Sequence, residues 1–588
     1  MKKVLLLAFC AAAMLTVQAQ PTVTNSWTKS QTDILSVANV NNSNPVAVSA
    51  QGDMYATGLF TESFTFGGKE IEAVATSSYL LKYGTDGAEK WGVALTGAAT
   101  IKTITTDGAG NVYIAGNFAD ELTFGSTDGN TQVKEGIKMD GTPIADQAAG
   151  FVAKYDVNGV LKAVQSFVSK PLPELEATGI YFPEAGDYRF DINNIAYSDG
   201  KLYASASYKG LTENNGFSFK GGYFDLDGGG FWYGDLVSGA VFSLNDQLEV
   251  DGILANMGVT GGKSTDLSSV QSVSFAVAEG KLYSGFVASG KQTLTIGSKE
   301  QAFDLSQENG VTEYGHILSI IDLADGSSSL TKKYSTTHDA YGNYCFIKSM
   351  LVKGDVLLLG GTFNAKLAFD QNIDAVSTND LYVAVLNKNT LDVNNAVASK
   401  VNEGDANSKK EEFGGMTVCG DYVYMIGHTA VIASHAVETP LTFWIDTTNG
   451  TMTQANPANL ATGVAASGTK LAIAQTQVAD QKLENIFSLN EVSNATGISS
   501  TEQGAGVSVY PNPVVDVLNF TTPCDVVIIN LMGVTVKQAE NVSSLPVSDL
   551  ISGQYIIKLT TEDGTSTAKV IKKLSIIIVG IKSMKGSP

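Results

Sequence analysis

The feature that most constrains this chain is a short stretch, Ile104 to Gly116, that recurs along almost five hundred residues. It reads "ITTDGAGNVYIAG", apolar and small or polar side chains alternating on both sides of a glycine-rich turn, which predicts two short strands and a hairpin. Val46 to Gly58, "VAVSAQGDMYATG", repeats it position for position. Weaker copies follow as "IAYSDGKLYASA", "FAVAEGKLYSG", "MLVKGDVLLLG", "MTVCGDYVYMIG" and "VAASGTKLAIA", seven in all. Glycine at the turn supplies the positive φ of a tight hairpin, and the aromatic or leucine after it is expected to fill the space between neighbouring sheets.

The surroundings repeat as well. Phe64-Thr65-Phe66-Gly67, Leu122-Thr123-Phe124-Gly125, Leu294-Thr295-Ile296-Gly297 and Leu367-Ala368-Phe369-Asp370 each follow a copy. Third and fourth strands are then legible in "YLLKYGTDGAEKWGVAL", "FVAKYDVNGVLKAVQSF" and "AVFSLNDQLEVDGIL". Repetition of four-strand units predicts a propeller, in which each blade hides its faces against its neighbours. The fold class expected is all-β: a seven-bladed β-propeller over residues 27–495, a linker at 496–506 and a small Ig-like β-sandwich at 507–573. "SWTKS" around Trp27 resembles an outermost strand, so the ring is expected to close by pairing it with "NIFSLNE", Asn485 to Glu491.

The unit "DGAGNVYIAGNF…LTFG…GFVAKYDVNGVLKA" resembles the SBBP and NHL-like β-propeller repeats. That resemblance implies a fold and leaves function open, because such propellers serve as binding platforms, scaffolds and, less often, enzymes.

Sixty glycines and 9% aromatic residues in 588 suit a many-turn all-β protein. A net charge of −21 argues against nucleic acid and against an anionic membrane surface as partners. Residues 1–19 carry two lysines, the apolar run "VLLLAFCAAAML" and Val17-Gln18-Ala19 before Gln20, the pattern of a secretory signal peptide. Cys10 stands where a lipobox cysteine would, but Phe9 before it is too bulky for that processing. Beyond the leader only Cys345, Cys419 and Cys524 remain, with no CxxC pair; free buried thiols are the simpler reading and a Cys345–Cys419 bridge the alternative.

Two insertions interrupt the repeats, Ser126 to Ala149 and Pro171 to Arg189. The second brings Tyr181, Phe182 and Tyr188 among prolines, an aromatic set suited to stacking on sugar rings, and these three are the candidate ligand-contacting residues. His316, His338, His428 and His435 lack zinc spacing, and Asp225-Leu226-Asp227-Gly228 opens like a calcium loop without its later acidic ligand, so no metal or cofactor is expected. There is no G-x-S-x-G and no phosphate-cradling loop. The innermost strands are expected to begin near Asn44, Lys102, Asn193-Asn194, Ser272, Lys348, Glu412 and Thr462. Acidic groups at these positions are Asp191, Glu411 and Glu412, the residues a channel-facing glycosidase would use.

Residues 507–573 resemble the type A C-terminal sorting domain of the type IX secretion system of Bacteroidetes-type bacteria. The matching residues are Tyr510-Pro511-Asn512-Pro513, Asp516-Val517-Leu518, Leu531-Met532-Gly533, Leu550-Ile551-Ser552-Gly553-Gln554-Tyr555-Ile556-Ile557-Lys558 and the closing Val570-Ile571-Lys572-Lys573. The resemblance implies passage through periplasm and outer membrane by the type IX machinery, with Tyr510, Pro511, Asn512, Pro513, Gly533, Gly553 and Tyr555 as its motif. A tail, 574–588, extends beyond the pattern, and its apolar run is too short to span a bilayer as a helix. The function expected is a secreted or cell-surface, non-catalytic binding or scaffold protein for a glycan or protein ligand. A surface carbohydrate-active enzyme and a structural envelope component are the alternatives.

Overall fold

The computed structural model describes residues 21–31, 45–74, 76–136, 138–139, 142–143, 149–170, 172, 188–222, 224–226, 230–232, 236–259, 269–305, 314–336, 344–364, 366–401, 409–431, 437–447, 450–455, 460–479, 482–493, 509–510, 514–530, 535–550, 553–561 and 564–573. Among them there is strand and turn but no helix. The chain divides into two compact units, residues 23–492 and residues 493–588 with 1–22.

The larger unit runs through seven successive four-strand antiparallel meanders among the described residues, of which the third and fourth are joined through Val250–Val259 and Lys281–Ile296 into one nine-stranded sheet. Their innermost strands are Val46–Val48, Ala99–Thr106, Arg189–Ser198, Ser269–Ala278, Cys345–Lys353, Lys409–Cys419 and Leu460–Ser467. Each innermost strand touches the next, and the last touches the first, so the contacts run in a closed cycle. Closure also occurs at the outside. Thr22–Gln31 pairs with Lys482–Ser493 as the fourth strand of the seventh sheet, as the sequence predicts. Trp27 on that strand donates from Nε1 to the Thr85 carbonyl of the first sheet at 3.1 Å and lies 5.4 Å from the Tyr83 ring.

The recurring motif supplies both the turns and the glue. Its turn glycines Gly52, Gly110, Gly200, Gly280, Gly354, Gly420 and Gly468 all have positive φ, between 55° and 88°. In two of the turns the preceding residue is positive as well, Asp199 at 51° and Glu279 at 54°, the pair of values that a type I′ hairpin uses. The aromatic after the turn then packs between sheets. Tyr55 is fully buried in a cluster with Ile101, Ile104 and Val112 of the second sheet, and its hydroxyl donates to the Gly110 carbonyl at 2.8 Å. Tyr283 of the fourth sheet likewise joins Ile347 and Met350 of the fifth. Burying each such ring contributes about 1.5–3 kcal/mol from transfer alone, which is why the repeat keeps the position apolar.

The apolar stretches after several copies form small hairpins inserted between second and third strands. Phe64–Phe66 pairs with Lys69–Ile71 and Leu211–Asn214 with Phe217–Lys220. In the second sheet, Glu121–Phe124 pairs with Gln132–Glu135 and also reaches back to Thr96 and Leu95 of the first. These hairpins cover edges that would otherwise expose backbone groups. The three cysteines of the described residues are free and buried. Burial pushes the thiols of Cys345 and Cys419 up to about 12, so they act as small apolar residues.

The smaller unit is one hydrogen-bonded sheet of five strands. Its central strand, Val517–Asn530, pairs at its start with Val509–Tyr510, at its end with Gly553–Thr561, and along its length with Thr535–Pro546. Register shifts between Asn519 and Cys524 and between Cys524 and Val526 bend it over a core of Leu518, Phe520, Val526, Ile528, Ile557 and Leu559.

Candidate functional site

The innermost strands of the second to seventh sheets line one cavity whose wall is shaped by one repeated irregularity. In six of them the register against the second strand slips by one residue, a β-bulge, at equivalent positions. The extra residues are Lys102, Asn193, Gln271, Lys348, Gly414 and Thr462. A bulge sets two successive residues against one, so strict alternation breaks and two neighbours in sequence can face the same side. The consequence is legible in the sequence once the position is known: Ile101-Lys102-Thr103-Ile104, Ile192-Asn193-Asn194-Ile195, Val270-Gln271-Ser272-Val273 and Ile347-Lys348-Ser349-Met350 share an apolar, polar, polar, apolar pattern. The outer apolar pair goes into the sheet cores, where Ile101, Ile192, Val270 and Ile347 are 5% exposed or less. From the second to the sixth sheet both inner residues line one cavity of about 400 Å³. Asn44, at the equivalent place in the first sheet, lies outside the described residues.

Facing three of the bulges, the second strand comes close at a glycine. A Cβ at Gly116 or Gly361 would fall on the carbonyl oxygen of Thr100 or Phe346, and one at Gly427 would lie 2.6 Å from that of Glu412. None of these three has positive φ, so the need for glycine here is one of space.

Among the described residues that line the cavity, Lys102 and Lys348 alone carry charge, and none is a carboxylate, cysteine or histidine. Several wall groups are already engaged. Lys102 Nζ lies 3.6 Å from Asp191 Oδ1, Asn193 Nδ2 donates to Ser207 Oγ at 2.8 Å, and Thr103 Oγ1 donates to Asn194 Oδ1 at 3.1 Å. The Lys348 ammonium stands 5.0 Å from the Phe346 ring centroid, which is stacked on Tyr344 at 4.6 Å. Desolvation holds the Lys348 amine below the usual lysine range, against the raising effect of the Glu412 charge.

The acidic candidates lie just outside this wall, each held by its own partners. Asp191 takes Lys102 on one oxygen and faces Arg189 Nε at 3.2 Å on the other. Glu412 pairs with His428 Nε2 at 3.2 Å and with Lys410, and its hydrogen bond from His428 is the main cause that brings its carboxyl down to about 2. Glu411, wholly buried, accepts the N–H groups of Leu381 and Val401, each at 3.1 Å, and the hydroxyl of Ser399. Burial raises its carboxyl to about 7, and the neighbouring Asp380 adds to the rise. Its partners are a strand amide of the fifth sheet, Leu381, and the Ser399 hydroxyl and Val401 amide that follow that sheet, so it fastens the connection between the fifth and sixth sheets.

The other residues singled out in the sequence are distributed as follows. Tyr188 is 2% exposed, with its ring over Gly210, so it is a core residue and offers no free face to a sugar: the insertion carries its aromatic inward because its last residues enter the third sheet. Tyr181 and Phe182 lie outside the described residues, as do His338, His435 and the residues 1–19 and 574–588. His316 is buried with Nε2 2.6 Å from the Cys345 carbonyl. The strand Phe224–Leu226 pairs with Gly230–Trp232, and Asp227 between them is outside the described residues. Among the described residues no group of three or more acidic, histidine or cysteine side chains is placed to hold a metal. In the smaller unit Tyr510 is 51% exposed, Tyr555 is in the core at 9%, and a Cβ on Gly553 would meet open space. Pro511, Asn512, Pro513 and Gly533 lie outside the described residues.

Comparison with known proteins bears on the two units unequally. Residues 508–573 match the secretion system C-terminal sorting domain family. No curated protein matches the chain. Among solved structures, the polysaccharide lyase Uly1 is similar at 10% identity and a TM-score of 0.36, over 80% of this chain and 99% of that one. The phage phi92 endosialidase is similar at 10% identity and 0.33, over 96% and 80%. Virginiamycin B lyase from Staphylococcus aureus is similar at 10% and 0.27, over 65% and 93%. Superposition at that level carries nothing about chemistry. No helix among the described residues is long and apolar enough to cross a membrane. The sorting domain at residues 508–573 marks the chain for export by the type IX secretion system, to the cell surface or the medium.

Proposed function

We propose that the seven sheets are the blades of one seven-bladed β-propeller, related to the SBBP and NHL-like repeats, and that the protein binds a ligand at the mouth of its central channel without turning it over. The observation that carries this reading is the wall itself: paired polar residues presented by the bulges of successive innermost strands around a cavity of about 400 Å³, with hydrogen-bonding groups and, among the described residues, no carboxylate. A cavity of that size takes one or two sugar rings or a short peptide segment. Glycosidic acid–base chemistry needs two carboxyl groups flanking the bond. Here Asp191, Glu411 and Glu412 are each tied to neighbours of their own.

In the same reading residues 1–19 are the signal peptide, 496–506 the linker, and the C-terminal unit an Ig-like sorting module. Tyr510, Pro511, Asn512, Pro513, Gly533, Gly553 and Tyr555 form the motif the type IX machinery reads, with exposed Tyr510 a contact and Tyr555 a core residue. Removing residues 507–588 is expected to leave a folded propeller held in the periplasm; normal surface display without them would overturn the export part. Incubating the secreted protein with a glycan and protein panel tests the rest. Retention of a ligand unchanged in mass is expected, whereas product release would favour a carbohydrate-active enzyme, and failure to retain any ligand would favour an envelope component.

A further inference from the structure

The polar groups of the channel wall are not all engaged, and the unengaged ones are gathered on one side. On the second and third sheets Lys102, Thr103, Asn193 and Asn194 hold one another or Asp191 and Ser207. On the fourth and fifth sheets, whose innermost strands are in contact, the bulge pairs are Gln271-Ser272 and Lys348-Ser349. Among the described residues Ser272 Oγ is buried without a hydrogen-bond partner. Among the described residues Lys348 has a ring beneath its ammonium but no carboxylate in ion-pair contact, and the Glu412 oxygens are taken by Lys410 and His428. A cation drawn from water without a counter-charge is costly, and so is a buried hydroxyl without a partner. Both costs are relieved by a ligand that brings an anion to the first and hydroxyl groups to the second.

We propose that the sector of the channel mouth between the fourth and fifth sheets is a subsite for a carboxylate carried on a hydroxylated ligand, an acidic sugar unit, with the Lys348 ammonium taking the carboxylate and Gln271, Ser272 and Ser349 its hydroxyl groups. This rests on the channel being the binding site. The lowered basicity of Lys348 agrees with an ammonium waiting for a partner. The chemistry also selects against alternatives. A neutral sugar leaves the ammonium unpaired, and among the described residues a dianionic phosphate group finds one free cation where such groups ordinarily take two or more donors of positive charge.

The test is equilibrium binding of glucuronate, its methyl ester and glucose to the full-length secreted protein and to three variants. Wild type is expected to prefer glucuronate over the ester by tenfold or more, the usual worth of one charged hydrogen bond. Lys348→Met keeps the apolar stem in its place and is expected to fold and to lose that preference; Lys348→Arg is expected to retain it. Asn193→Trp, which fills the cavity from the adjoining third sheet, is expected to abolish binding altogether. Equal binding of acid and ester, or a preference that survives Lys348→Met, overturns the acidic subsite. If neutral sugars bind as well as the acid and Asn193→Trp abolishes it, the channel reading stands without the acidic one. If none of the three sugars binds the wild type, the subsite is overturned; binding that Asn193→Trp leaves unchanged overturns the channel reading as well.

Discussion

Asp191 and Lys102 stand on neighbouring innermost strands with a carboxylate oxygen and the ammonium nitrogen 3.6 Å apart. The pair draws one of the two wall lysines away from the cavity and makes Asp191 a partner of positive charge. Replacing it by Asn is therefore expected to leave the fold intact and to strengthen binding of an anionic ligand. A partly exposed pair is worth 0.2–1 kcal/mol, so the gain is at most about fivefold in Kd. Titration calorimetry on Asp191→Asn measures it. Loss of a measurable turnover in that variant would instead make Asp191 catalytic.

Gly361 is the residue against which the Lys348 bulge is formed, since any Cβ there meets the Phe346 carbonyl. Gly361→Ala must push the innermost strand of the fifth sheet towards the channel axis or flatten the bulge. A loss of about 2–4 kcal/mol in chemical denaturation is expected, in the range of overpacked and strained core positions. In whatever fraction stays folded, ligand affinity is expected to fall as well, which a substitution of the exposed Gly216 turn would not cause.

Glu411 makes stability depend on pH in a window of its own. Its folded carboxyl is raised from 4.5 to about 7, so ionising it costs more in the folded chain than in the unfolded one. Stability is then lowest above pH 7 and rises as pH falls towards 4.5, by up to about 3 kcal/mol if the shift is fully expressed. Glu412 has the opposite sign and a lower window: held at about 2, it stabilises above 4.5, and that contribution is lost as pH falls towards 2. Thermal unfolding of Glu411→Gln against wild type from pH 2 to 8 is expected to flatten the upper window and leave the lower one.

The sequence makes the scaffold readable and the site only partly so. Period-two stretches around turn glycines identify the hairpins because a local backbone requirement and a local alternation coincide, and all seven turn glycines have the positive φ expected of them. The pairing of the Trp27 strand with Asn485 to Glu491 is also legible, since the tryptophan resembles Trp91 at the corresponding place in the first sheet. The bulges are not, because one extra residue leaves strand composition unchanged and breaks alternation for two positions only; the aligned quartets Ile101 to Ile104 and Ile347 to Met350 are the signal that finds them. Acidity at strand starts draws the eye to Glu411, yet it is burial and the three donors from Leu381, Ser399 and Val401 that decide its role, and those come from a different sheet and a loop. Tyr188 fails as a ligand contact for the same reason: aromatic composition does not say which way a ring turns, and this one turns in.

The most direct test of the channel as a non-catalytic binding site is ligand retention by the secreted protein and by Asn193→Trp, followed by mass analysis of the recovered ligand. Retention by wild type, loss of retention in a variant that unfolds at the same temperature, and a ligand of unchanged mass are the results expected. Retention undiminished by the tryptophan, or a ligand recovered as shorter products, would contradict it.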